Sequence, residues 1–131
     1  MRPAAALLGA LAFLAAAAPV RAEEVKLGAA EIESLLTGNT ARGEDRGRPT
    51  RQYFSEDGIT LYQPKGVSPE RGQWKVDDSA ERYCSWWPRG GWSCYDVLRD
   101  GETYYWYRKG TSTGSDYRSP FTMVPGRQMT F

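Results

Sequence analysis

The chain has 131 residues, 17 basic against 16 acidic side chains, and no histidine. That composition excludes histidine triads, histidine metal sites and the usual near-neutral proton shuttle. Two cysteines cannot complete a four-thiolate zinc site, and without a one-signed field nothing draws in nucleic acid or an anionic membrane by electrostatics.

The N-terminus reads as an export signal. Arg2 is a positive start, Ala4 to Ala18 is an unbroken apolar run, and Pro19 precedes the small side chains of the Val20-Arg21-Ala22 stretch. A signal peptide over residues 1–22, cut after Ala22, is expected. The run is short and alanine-rich for a membrane anchor, and no cysteine near the cut suggests a lipoprotein. Without Arg2 and Arg21, 15 basic side chains face 16 acidic ones, a formal charge of −1. No second long apolar run follows, so membrane insertion after cleavage is not expected. The localisation implied is periplasmic or secreted, where Cys84 and Cys94 are expected to form a disulfide.

Residues 23–50 read as a short helix followed by a charged connector. The helix is expected within Glu23 to Thr37, where Ile32, Leu35 and Leu36 make one apolar stripe. Gly38 fits a left-handed cap beside Asn39. Arg42 to Thr50, "RGEDRGRPT", is expected to be the solvated connector.

Residues 51–131 read as strands. In "QYFSEDGITLYQ", a two-residue Asp57-Gly58 loop would set Phe54 opposite Leu61 and Tyr53 opposite Tyr62. "RGQWKV" is the next strand, ending at Asp77-Asp78-Ser79. "ERYCSWW" and "WSCYDVLR" follow, then a turn at Asp100-Gly101 into "ETYYWYRK". Gly110 to Ser115 is a flexible loop by composition, and a last strand is expected near Tyr117 to Val124. The fold class is all-β with one short N-terminal helix, an antiparallel meander closing into a small barrel that hides its strand edges. The alternative is an open two-layer sheet with the helix on one face.

"YCSWWPRGGWSC" concentrates both cysteines and three of the five tryptophans. A four-residue loop would leave the cysteines diagonal. A three-residue loop, Pro88-Arg89-Gly90, pairs Trp87 with Gly91, Trp86 with Trp92 and Cys84 with Cys94, within disulfide reach, with Gly90 in the left-handed position. One face then carries Arg82, Cys84, Trp86, Trp92, Cys94, Asp96 and Leu98, joined by Thr103, Tyr105 and Tyr107. Both faces are aromatic, and the mid-strand pair Arg82–Asp96 assigns this one to solvent. Tyr83, Tyr95, Val97, Tyr104 and Trp106 are therefore expected in the core, with Trp74.

"LTGNT", "YFSEDG", "GQW", "YCSWW", "CYDVLRDG" and "VPGR" occur in an order that resembles a family of small secreted bacterial proteins described only as a domain of unknown function. The resemblance implies a periplasmic or secreted β-rich domain. It carries no activity, so it transfers no catalytic residue.

No residue is assigned a catalytic role, and no metal or cofactor is implied. "YYWY" at Tyr104 to Tyr107 splits two and two between faces, and Asp77-Asp78 suits a turn without further duty. A glycosidase would need a second carboxylate at a defined separation. The candidate partner-binding residues are Trp86, Trp87, Arg89 and Trp92, since Trp and Arg dominate binding hot spots. The structural alternative makes Trp86 and Trp92 a cross-strand brace over the disulfide. The expected function is a non-enzymatic binding module for an envelope or extracellular protein or ligand. The alternatives are a protein inhibitor of a wall-degrading or defence enzyme, acting through this hairpin, and a hydrolase.

Overall fold

The computed structural model describes residues 3–4, 9–16, 23–112 and 114–131. The expected cleavage site at Val20-Arg21-Ala22 lies outside them. Among the described residues no helix is long and apolar enough to cross a membrane.

The elements run β1 (Val25–Lys26), α1 (Ala29–Leu36), β2 (Thr40–Asp45), β3 (Arg48–Phe54), β4 (Ile59–Pro64), β5 (Glu70–Asp77), β6 (Arg82–Trp87), β7 (Gly91–Asp100), β8 (Thr103–Arg108) and β9 (Tyr117–Val124). From β2 to β9 each strand pairs antiparallel with the next, and β9 returns to β2. The meander therefore closes into an eight-stranded barrel, as the sequence led us to expect. Closure satisfies both edges of every barrel strand.

The short helix occupies the later part of the segment expected to hold it. Val25 and Lys26 pair with Arg99 and Leu98 of β7, beyond the end of β6, so these residues are strand instead. Gly28 is the N-cap, and its N–H donates to the Glu31 carboxylate at 3.2 Å. Ile32 and Leu36 are fully buried against β5 and β6. Each such burial stabilises by about 1.5–3 kcal/mol. Gly38, at φ +75°, ends the helix as expected, and its N–H donates to Phe54 O. The helix thereby closes one end of the barrel.

Arg42 to Thr50 is not a connector. It forms β2 and β3, joined by Arg46-Gly47, both at positive φ, with Asp45 opposite Arg48. Its charged residues suit outward positions, and neighbouring strands take up its backbone bonds whatever its side chains are. The β3–β4 register also differs by one. Phe54 faces Thr60 and Tyr53 faces Leu61, because the loop is Glu56-Asp57-Gly58, with Gly58 at φ +83° and Ser55 N–H bonded to Ile59 O at 2.8 Å. A one-residue slip moves side chains to the other face. Here it sends Tyr62 inward beside Gln52.

The β6–β7 register is the one the three-residue loop requires: Cys84 with Cys94, Trp86 with Trp92, Trp87 with Gly91. The disulfide is present. The left-handed residue, however, is Gly91 at φ +66°, one position later than expected. Tyr83, Val97 and Trp74 are buried, with Tyr95, Tyr104 and Trp106 packed against the same core. Phe54 stands at its centre, with ring centroids of Trp74 and Tyr83 each 5.6 Å away.

Candidate functional site

Alternation along an antiparallel meander sends every second turn to the same end. The β3–β4 and β5–β6 turns lie beside α1. The β2–β3, β4–β5, β6–β7 and β8–β9 connections stand around the other end, and there the interior opens into a cavity of about 570 Å³.

Stacked rings and one polar network make its floor. Trp106 lies against Phe121 at 4.0 Å and 15°, and Tyr83 against Trp106 at 4.6 Å. The Gln52 amide donates to Thr60 Oγ1 at 3.0 Å and to the Tyr83 hydroxyl at 2.9 Å. Two aromatic pairs form the walls: Tyr62 with Trp87 at 6.1 Å and 67°, and Tyr95 with Tyr117 at 5.4 Å and 52°. Trp87 Nε1 donates to Ser85 Oγ at 3.2 Å, which fixes the indole. Thr50 and Ser119 add hydroxyls to the lining.

Two glycines shape the space. A Cβ on Gly43 would sit 3.2 Å from Thr50 Oγ1 and 3.3 Å from Pro120 O. A Cβ on Gly72 would sit 2.7 Å from Trp87 Cε3, so the indole rests directly on the β5 backbone.

Electrostatically the interior is neutral. Burial pushes the Tyr83, Tyr62 and Tyr95 phenols above their ordinary range, and the charge of Asp45 adds to the shift at Tyr62. These hydroxyls stay protonated. The charged residues that border the cavity, Glu44, Asp45, Arg46 and Arg118, are all exposed at its rim. Arg118 is held outside: its Nη1 donates to Glu24 Oε1 at 2.8 Å, and its guanidinium lies 3.9 Å from the Tyr105 ring centre.

The four candidate residues do not share one surface. Trp87 faces inward and lines the cavity. Trp86 and Trp92 lie on the outer face with the disulfide, where Lys75 Nζ stands 4.2 Å from the Trp92 ring centre. Trp92 is 45% exposed. Arg89 is exposed in the turn, at the mouth end. Tyr62, Gln52, Thr50 and Ser119 were missed by sequence reasoning. Correct registers for the strands that carry them would have found them.

The other motifs have structural duties. Asn39 Oδ1 accepts from Gly126 N–H at 3.1 Å, and Thr40 Oγ1 donates to Gly126 O at 2.7 Å and accepts from Gln128 N–H at 2.9 Å. "LTGNT" and "VPGR" thus form a clasp across the β2–β9 seam. Asp77 Oδ1 accepts from Ser79 N–H, Ser79 Oγ and Ala80 N–H, a side-chain-stabilised turn. Asp116 ties the base of the Gly110 to Ser115 loop by accepting from Tyr107 Oη and Gly110 N–H. Among the described residues no three Cys, Asp or Glu side chains stand together as a metal site would require. No family model, curated protein or solved structure matches the chain.

Proposed function

We propose that this protein is a non-enzymatic binding module of the periplasm or extracellular space that takes a small ligand into the open end of its barrel. The observation that carries the reading is the cavity itself. Its volume, about 570 Å³, falls within the range of small-molecule sites, and its walls combine aromatic faces with a few fixed polar groups. The Cys84–Cys94 crosslink and the apolar leader support an oxidising compartment. The motif order supports membership of the secreted bacterial family named above.

Equilibrium dialysis against a small-molecule extract of the cell envelope, read by mass spectrometry, tests this. The native protein should retain a compound that a Ser119→Trp variant, with its cavity filled, does not. Retention of nothing, or equal retention by a folded Ser119→Trp, would count against a cavity ligand.

A second reading, an inhibitor acting through the crosslinked hairpin, is favoured by one feature. Arg89 stands exposed at the tip of a braced turn, and rigid loops bind with little ordering cost. Arg89→Ala should then weaken capture of a protein target while leaving the melting temperature unchanged.

A further inference from the structure

Resting on the cavity reading, we propose that the ligand is an uncharged saccharide of one or two rings. Three classes of occupant fit the walls less well. An ion would enter a space whose lining below the rim offers only phenols, hydroxyls and an amide, so its charge would be desolvated without a partner. A fatty chain would cover the Ser119 hydroxyl and the Tyr95 and Tyr62 phenol edges and give them nothing in return. Within each wall pair the two rings are inclined to each other, at 67° and 52°, so a flat heterocycle could lie parallel to only one ring of each pair.

A saccharide ring answers each feature. Its C–H faces carry slight positive charge and sit against the negative faces of aromatic rings, and a puckered ring accommodates inclined walls. Its hydroxyls both donate and accept, as do the serine, threonine and tyrosine hydroxyls around it. Ser85 holds a particular place. Its Oγ accepts from Trp87 Nε1 at 3.2 Å, so one short side chain both orients a stacking indole and presents a polar edge to the interior.

Titration of the exported protein, followed by tryptophan emission and calorimetry, tests the assignment. The neutral probes are glucose, N-acetylglucosamine and maltose. The comparators are glucose 6-phosphate, choline, adenine and laurate. At least one neutral sugar should bind saturably in preference to every comparator. Its affinity should fall about five-fold or more in both Ser85→Ala and Tyr62→Leu, the loss that removing one good contact produces. Circular dichroism establishes that each variant is folded, and Thr50→Val replaces any that is not. Binding of a comparator with no sugar bound would overturn the saccharide and leave the cavity reading standing. Sugar binding that ignores all these substitutions would place the sugar elsewhere and overturn the assignment. Silence from every probe would overturn both.

Discussion

Gly72 is where the cavity is most sensitive to a single atom. Any side chain there would drive into the Trp87 ring, since a Cβ comes within 2.7 Å of Cε3. Gly72→Ala should destabilise by about 1–3 kcal/mol through overpacking. It should also shift tryptophan emission as the indole is displaced, and an unchanged melt with unchanged emission would contradict that seat. Tyr83 makes a different prediction. Its phenol ionises near 10.0 when unperturbed, and burial raises it well above that in the fold. Above about pH 10 the unfolded chain loses this proton while the folded chain keeps it, so stability should fall as pH rises. Tyr83→Phe should flatten that alkaline slope in denaturant titrations. At neutral pH it should cost about 0.5–1.5 kcal/mol for the lost bond from Gln52.

The β6–β7 hairpin shows what was legible in a single element. Two loop lengths were open at Pro88, and the need for Cys84 and Cys94 to meet selected the three-residue one, whose register the strands adopt. Peptide mapping without reductant should recover Cys84 joined to Cys94 within one molecule. Cys84→Ala should lower stability by about 2–4 kcal/mol, and recovery of free thiol at either position would argue against the pairing. β2 and β3 are not legible in the same way. "RGEDRGRPT" has no alternating apolar face, because Gly43 serves the interior by its absence of bulk and the charged residues stay in solvent, outside the barrel or at the cavity rim. Sheet neighbours make that segment a strand, and neighbours are invisible to local pattern. At β3–β4 the Asp57-Gly58 signal was real, but Glu56 also belongs to the loop, so the slip of one hid Tyr62 from the interior.

For the molecule as a whole, short consecutive strands were enough to imply a barrel, and the charge pair Arg82–Asp96, 3.2 Å apart, marked its outside. Three of the cavity's aromatic residues, Tyr83, Tyr95 and Trp106, followed from that choice. Tyr62, Gln52, Thr50 and Ser119 come from strands whose register no local signal fixes. The seam between β2 and β9, clasped by Asn39 and Thr40, sets a condition on how this chain reaches its fold. Synthesis delivers β2 first among the barrel strands and β9 last, so one edge of β2 waits unpaired while everything between is made. Partners 86 residues apart must meet before the final ladder forms, a non-local closure that slows folding. A chain ending at Asp116 would expose the edges of β2 and β8 together, and such edges pair with other chains. It should sediment as aggregate, whereas a chain lacking only Met129 to Phe131 should elute as the full-length protein does. Soluble monomer from the shorter chain would mean that the barrel can stand open. For a nascent chain, the last strand is therefore the one that ends its vulnerability to its own neighbours.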